Sequence, residues 1–379
     1  MLTLADAWLH DLSPTAVHIA GSFGLRWYAL SYLLGFILGG LLLYRLSKRG
    51  LWAVPADRVL DAVVLLGIAV IVGGRVGYVL LYQPSLLWTF EPGFPFWGVL
   101  MLNRGGMASH GGMVGVAFAA WRISRGFRDP DGALRGSCPT LHVLDGLVLV
   151  APIGLMLGRI ANFINGELLG KIVAAPGEPG PAWAVRFPQE HLSRHAADLT
   201  EAQQRDLYTL AFEHTLPGDS EKYWFADAYP RVLEKLQTGS AEASAQIAER
   251  LEPLLSARHP SQLYQAVAEG LLVLIVVWIV ARRPRVPGVI GAWFLITYGI
   301  GRVATEFFRL PDDHFSEKGL LNLAKPMGLS RGQWLSVGMV VGGVALLAVV
   351  TRRGGPKMFG WGVKKTPAGA EASNSADPT

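Results

Sequence analysis

Seven stretches of this chain, each close to the length of one bilayer crossing, are almost free of charge: Trp27–Leu46, Val59–Tyr82, Trp97–Trp121, Leu141–Phe163, Leu263–Ala281, Val289–Phe307 and Gln333–Thr351. About 20 apolar residues in a helix span the hydrocarbon core. Blocks of this length and number therefore predict a bundle of membrane-crossing helices. The third block is the least regular. It carries Arg104, Gly105 and Gly106, and reads as broken or partly re-entrant, a backbone tolerated at membrane depth only where protein or water surrounds it.

Composition agrees. Of 379 residues, 51% are hydrophobic and 17% charged, against about a quarter charged in soluble proteins. The 12 tryptophans suit bilayer interfaces. The net charge of +5 does not imply nucleic acid, because the basic residues alternate with apolar blocks instead of gathering on a polar domain. One cysteine, Cys138, excludes an internal disulfide and a Cys-rich metal site. The opening MLTLADAWLHDLSP is acidic and does not read as a cleavable signal peptide.

Basic residues cluster after the first, third, fifth and seventh blocks: Arg45, Lys48, Arg49 and Arg58; Arg122, Arg125, Arg128 and Arg135; Arg282, Arg283 and Arg285; Arg352, Arg353, Lys357, Lys364 and Lys365. The loop from Gln83 to Asn103 has no Lys or Arg. The positive-inside rule then predicts an outside N-terminus and a cytoplasmic C-terminus, which needs an odd number of spans. The expected fold is an all-α polytopic membrane protein with about seven transmembrane helices and an extracytoplasmic insertion. Residues 1–169 form an N-terminal periplasmic arm and four spans. Residues 170–258 form the insertion, with a Pro/Gly-rich start (AAPGEPGPAW) and short helical patterns over Leu192–Leu255. Residues 259–353 form three spans, and 354–379 a disordered cytoplasmic tail.

Charges at membrane depth are functional candidates, since arginine at a helix centre costs about 2.5–3.5 kcal/mol on insertion scales. With this topology, six blocks place polar residues in the same outer half: Tyr28; Arg75 and Tyr78; His110; Arg159, Asn162, Asn165 and Glu167; His259, Gln262, Tyr264 and Glu269; Tyr298, Arg302, Glu306 and Arg309. Tyr298, Arg302 and Glu306 share one helix face, as do Arg159 and Asn162. Plainer readings stand beside these: a structural Arg302–Glu306 ion pair, a snorkelling Arg75, interface tyrosines, a packed His110, and Glu269 as a helix-packing residue. Asp61 and Asp145 read as first-turn acids suited to the helix dipole. The G-x-S-x-G match at Gly328–Gly332 lacks the strand a hydrolase elbow needs, so Ser330 reads as a helix cap. Cys138 falls in a cytoplasmic loop and is not expected to be a nucleophile.

Four stretches together closely resemble the bacterial prolipoprotein diacylglyceryl transferase family: Gly105-Gly-Met-Ala-Ser-His-Gly-Gly112, Gly158-Arg-Ile-Ala-Asn-Phe-Ile-Asn-Gly-Glu-Leu-Leu-Gly170, His259-Pro-Ser-Gln-Leu-Tyr264, and Tyr298-Gly-Ile-Gly-Arg-Val-Ala-Thr-Glu-Phe-Phe-Arg-Leu-Pro-Asp312. Gly73-Gly-Arg-Val-Gly-Tyr78 and Trp27-Tyr28 fit as well. Departures are Ala161 where glycine is common, Lys171 where arginine is frequent, Arg26 where histidine is also seen, and Gln265 in place of a glutamate.

The resemblance implies transfer of the diacylglyceryl group of phosphatidylglycerol to the cysteine thiol of a prolipoprotein lipobox peptide, forming a thioether and releasing glycerol phosphate at the bacterial inner membrane. Arg159 matches the family's phosphatidylglycerol-contacting arginine. His110, Asn162, Glu167, Tyr28, Tyr298, Arg302 and Glu306 match positions the family treats as functional. On this reading Arg159 and Arg302 hold the lipid phosphate, Glu306 orients Arg302, and His110 assists loss of the thiol proton. Tyr28, Asn162 and Tyr298 position lipid or peptide, and Asn165, Glu167 and Arg75 join the lipid-binding set. The expected partners are phosphatidylglycerol, prolipoprotein and membrane lipid, without nucleic acid, metal or cofactor. A transporter or lipid flippase is the competing class, disfavoured because no paired repeat is visible. A structural assembly subunit would not repay so many buried polar groups.

Overall fold

The computed structural model of the chain describes residues 6–20, 23–102, 105–213, 224–310 and 330–362. The chain opens with β1 (Trp8–Leu9) and the hairpin β2 (Thr15–Ala20) and β3 (Phe23–Arg26), then enters α1 (Trp27–Lys48). Then come α2 (Val59–Leu81), α3 (Ser109–Ser124), the hairpin β4 (Phe127–Arg128) and β5 (Leu134–Arg135), α4 (Thr140–Val148) and α5 (Ala151–Ile164). A polar region follows with β6 (Ile172–Ala174), β7 (Val185–Arg186), α6 (Glu201–Glu213), α7 (Phe225–Thr238), α8 (Ala241–Leu251) and β8 (Ala257–Arg258). The chain continues through α9 (Ser261–Gln265), a π-helical stretch (Ala266–Leu271), α10 (Leu272–Val280), α11 (Val289–Glu306) and α12 (Arg331–Arg353).

Helices dominate, and the protein is a multi-pass membrane protein. Five helical segments are long and apolar enough to cross a bilayer: Trp27–Lys48, Ala56–Leu81, Thr140–Ile164, Ser261–Val280 and Gly332–Arg353. Their surfaces carry exposed large apolar residues such as Leu33, Ile68 and Val72, as lipid-facing helices do. Two of the seven expected spans fall short of those criteria. The third yields only the 16 residues of α3, about 24 Å at 1.5 Å per residue. Its first part is a 3₁₀ turn at Gly98–Leu100 followed by loop, with Gly105 and Gly106 at positive φ, which is the break the sequence predicts. The sixth, α11, has 18 residues and carries Arg302 and Glu306 within them.

The chain divides into two compact units. The first comprises Met1–Gly35, Pro152–Val273 and Thr297–Val341. It holds a small sheet in the order β1-β7-β8-β6, with β1 parallel to β7 and the other pairs antiparallel. An all-α reading does not foresee this sheet. Its strands are two or three residues long, too short to show alternation in the sequence. Beside it α6, α7 and α8 bury Leu207, Leu210, Tyr229, Val232, Ile247 and Leu251 in a core of their own. Glu190 and Arg258, both fully buried, pair at 2.6 Å. Glu190 also accepts from the Ser256 N–H at 2.8 Å and from its hydroxyl at 2.5 Å. Arg258 spends its remaining fork on the carbonyls of Gly170 and His195. His10, fully buried among Phe163 and Phe187, meets the Phe163 carbonyl at 2.8 Å through Nε2. That contact joins the Gly166 N–H, at 3.0 Å, on the same carbonyl in the last turn of α5.

The second unit comprises Phe36–Ala151, Leu274–Ile296 and Gly342–Thr379. Its α2 and α3 touch along glycines. A Cβ at Gly73 would lie 2.4 Å from the Gly111 carbonyl oxygen, and one at Gly115 would lie 2.0 Å from that of Ala69. This is the small-residue contact that lets membrane helices pack backbone to backbone. Asp61 sits in the first turn of α2 as expected. Asp145 does not serve its own helix: it lies in the middle of α4 and accepts from the N–H groups of Gly288 and Gly291, both at 2.7 Å, at the start of α11. Burial pushes the Cys138 thiol up to about 11, which suits an inert cysteine. The start of the predicted disordered tail is packed. Met358 pairs with Arg285 through the backbone, the Phe359 ring packs at a tilt against His142, and Trp361 donates to the Trp278 carbonyl. A backbone bridge and two aromatic side chains thus hold a segment the polar composition marked as loose, while residues 363–379 lie outside the described set, as does Arg104.

Candidate active site

In the first unit three helical segments approach closely because glycines face them. A Cβ at Gly270 would lie 2.6 Å from that of Met156 on α5, and one at Gly301 would lie 2.9 Å from the Ala268 carbonyl oxygen. Between them stands Glu269, on the π-helical stretch and with no exposure. Insertions of this kind in α-helices recur at functional sites.

Glu269 is shared by two arginines. Its Oε2 lies 3.1 Å from Arg159 Nη2, and its Oε1 lies 3.3 Å from Arg302 Nη1. The Thr305 hydroxyl donates to the same Oε1 at 3.0 Å. Arg302 turns its other nitrogen to Glu306 Oε2 at 3.0 Å, one helical turn on. Arg309 reaches that oxygen at 3.7 Å, and the Ser330 hydroxyl donates to Glu306 Oε1 at 3.2 Å. Ser330 is also the cap of α12: it accepts from the Gln333 N–H at 3.1 Å, while the Gln333 side chain accepts from the Ser330 N–H at 2.9 Å, a reciprocal capping box.

The chain Arg159–Glu269–Arg302–Glu306–Arg309 holds three cations and two anions, a surplus of one positive charge. Arg159 has the most accessible side chain of the five, 20% exposed against 14% for Arg302 and 4% for Arg309. A planar guanidinium of this kind, anchored on one edge and open on another, binds phosphate bidentately without any change of protonation.

Other expected residues gather here. Arg159 also hydrogen-bonds the Tyr298 phenol. Tyr28 lies near enough to Glu167 and Arg159 to sense both charges, and its oxygen accepts from the Tyr32 hydroxyl at 3.2 Å. Asn162 is buried one turn beyond Arg159 on α5. Asn165 donates to the exposed Glu167 carboxylate at 3.2 Å across a tight turn. Gly166 holds φ +66° there, a backbone conformation that favours glycine, and a Cβ would meet the Gln189 amide at 2.3 Å. The Glu167 carbonyl accepts from Gln262 at 2.5 Å. His259 stacks on Trp183 and keeps its pKa low through burial and the nearby Lys171.

Arg75 and His110 belong to the second unit. Arg75 is buried, and its guanidinium points at five backbone carbonyls: Val99 at 2.7 Å, Gly98 and Gly105 at 2.6 Å, Gly106 at 3.0 Å and Met101 at 3.3 Å. An arginine has five N–H donors, so this one is fully engaged by the loop before α3. His110 is exposed in the first turn of α3.

Glu269 is the residue that sequence reasoning undervalued, as a packing residue, and Thr305 was not singled out at all. The available signal was charge balance: Arg159 and Arg302 outnumber the acid Glu306 at that depth, and Glu269 is the acid within an otherwise apolar block. No group of three or more His, Cys, Asp or Glu suited to a metal occurs among the described residues.

The family model described as prolipoprotein diacylglyceryl transferase matches residues 14–349. The phosphatidylglycerol–prolipoprotein diacylglyceryl transferase of Bdellovibrio bacteriovorus is 40% identical over 365 residues, covering 93% of this chain and 97% of the relative. Relatives of the same name from Paraburkholderia phymatum and Neisseria gonorrhoeae are 35% and 37% identical, covering 91% and 88% of this chain and 95% and 94% of their own lengths. The chain therefore belongs to the prolipoprotein diacylglyceryl transferase family.

Proposed function

We propose that this protein transfers the diacylglyceryl group from phosphatidylglycerol to the lipobox cysteine of prolipoproteins, the first step of bacterial lipoprotein maturation. The observation that carries the reading is the buried ion chain with its surplus positive charge, set in helices of a membrane protein. Such a site suits an anionic phosphodiester that arrives from the lipid phase.

The thiol sulfur attacks the glycerol carbon bonded to the phosphate. A carbon–sulfur bond forms, the carbon–oxygen bond to phosphate breaks, and glycerol phosphate departs with its electron pair. The substrate supplies the nucleophile, and a free thiol has a pKa near 8.5, so only a few per cent is thiolate at neutral pH. Charge grows on the phosphate oxygens, where Arg159 and Arg302 stabilise it in a low-dielectric site. Glu269 fixes both guanidinium groups, and Glu306 orients Arg302. Tyr28, Tyr298, Asn162, Asn165 and Glu167 position lipid and peptide. His110 is assigned the thiol proton because an imidazole is the commonest general base and this one is exposed in the first turn of α3. Arg75, expected among the lipid ligands, is surrounded by carbonyls that favour a role in shaping the loop before α3.

The finer topology is part of the same proposal: seven crossings in the bacterial inner membrane, the N-terminus and residues 170–258 outside, the C-terminus cytoplasmic, and the chemistry toward the outer face. The domain limits 1–169, 170–258, 259–353 and 354–379 follow it. Basic loops support the orientation, and the separate core of α6–α8 supports an insertion.

The test is mass spectrometry of a synthetic lipobox peptide incubated with the purified protein and phosphatidylglycerol micelles. A peptide heavier by one diacylglyceryl group, with an equal amount of glycerol phosphate released, is the expected result. An unmodified peptide, together with movement of labelled phosphatidylglycerol between vesicle leaflets, would instead establish a flippase.

A further inference from the structure

Beside the ion chain lies a set of carboxamides that leave buried polar atoms unpaired among the described residues. Gln262 and Gln265 have no exposure. Gln262 donates through Nε2 to the Glu167 carbonyl, but its Oε1 has no partner among the described residues. Gln265 has none for Oε1 or Nε2, and Asn165 has none for Oδ1. Buried amides are normally paired, because leaving them unmade forfeits their bonds to water. Three such vacancies on one segment are a site awaiting a polar ligand.

Their position says which ligand. Gln262 and Gln265 are three residues apart on α9 and share a face, and Glu269 follows about one turn later on the π-helical stretch. Along α5 the contacts run the opposite way: Arg159 meets Glu269, and Glu167, beyond the helix end, meets Gln262. Gln265 therefore falls between these crossings, at the level of Asn162. It stands about one turn from Glu269 on the same segment. The free hydroxyls of a glycerol esterified to a phosphate lie a few ångströms from that phosphate.

We infer that Gln262 and Gln265, with Asn162 and Asn165 beside them, read the free glycerol hydroxyls of a phosphatidylglycerol headgroup whose phosphate sits at Arg159. The inference rests on the proposed transferase reading and adds headgroup selectivity to it. A hydroxyl both donates and accepts, and so fits a set holding acceptor oxygens and one amide donor. An ethanolamine ammonium only donates, and would bring its charge beside an arginine in a site that already has a cation in surplus.

The experiment compares kcat/KM of the purified full chain for phosphatidylglycerol and for phosphatidylpropanol, which has the same charge and no headgroup hydroxyl, with one lipobox peptide. Wild type should prefer phosphatidylglycerol by about tenfold or more, as sites built around a hydroxyl reject analogues lacking it. Gln265→Leu should bring the ratio close to one, and Gln262→Leu should lower it. Gln265→Glu, whose carboxylate still accepts from both hydroxyls, should keep it. A wild type indifferent to the hydroxyls overturns the inference. So does a Gln265→Leu variant that slows both lipids equally, the result expected if packing or buried water satisfies the amide. Turnover of neither lipid by wild type would defeat the transferase reading itself, a distinguishable outcome.

Discussion

Two buried charge assemblies occupy the first unit, and they are built on opposite rules. The Glu190–Arg258 pair is closed: one cation, one anion, no exposure on either side, with both carboxylate oxygens and every guanidinium nitrogen engaged. The Arg159–Glu269–Arg302–Glu306–Arg309 chain is open, with an odd cation and its most accessible guanidinium at one end. Burying charge is costly, and a pair is tolerated when geometry and extra hydrogen bonds compensate fully. A closed pair has nothing left to offer a ligand and serves to hold β8 to the turn at Glu190. An open chain keeps attraction in reserve for an anion.

Mutations at the two assemblies should therefore fail in different ways. Arg302→Ala should lower peptide modification by about 10²–10³-fold or more, the range for losing a preorganised charge donor, while leaving thermal stability in detergent near that of wild type. Modification at the parental rate would make Arg302 structural only. Arg258→Ala should act through folding instead, costing about 3–5 kcal/mol as the carboxylate is left buried and alone. Pairing Glu190→Leu with Arg258→Met should recover much of that loss. If the double replacement is as unstable as the single one, the closed pair is not a balanced unit. The smallest effect is a pH dependence. Burial lowers the pKa of His10, so the unfolded chain takes up a proton near its ordinary value of about 6.5 while the folded protein resists it. His10 thus contributes full stability above that pH and loses it as pH falls below. His191, also lowered by burial, adds to the slope. His10→Gln keeps a donor for the Phe163 carbonyl and should flatten the fall in Tm between neutral and mildly acidic pH. An unchanged slope would locate the titration elsewhere.

The open assembly was far more legible in the sequence than the closed one, for a physical reason. Arg159, Arg302 and Glu306 interrupt apolar blocks, where any charge is conspicuous because it is expensive. Glu190 and Arg258 lie in or beside a polar stretch, where charges ordinarily face water, and 68 residues separate them. Nothing local marks them as partners. Glu269 was visible for the same reason as Arg302, but its meaning depends on two helices meeting it at once, which spacing along one segment does not encode. Long apolar periods announced most of the spans. Short strands and the cap that Asp145 supplies to α11 are long-range arrangements without a period of their own. The packed start of the C-terminal tail rests on the Met358 backbone and on the Phe359 and Trp361 rings, two side chains too few to shift a compositional average.

The Arg75 cage has an evolutionary corollary. All five acceptors are main-chain oxygens, and three of them belong to glycines. Any residue offers a carbonyl, so the loop's shape is specified by a single distant arginine and by the backbone freedom of Gly105 and Gly106. Side chains at Val99, Leu100 and Leu102 can then diverge between lineages without unlocking the loop. Drift at those positions would retune what the loop presents to its surroundings while its path stays fixed.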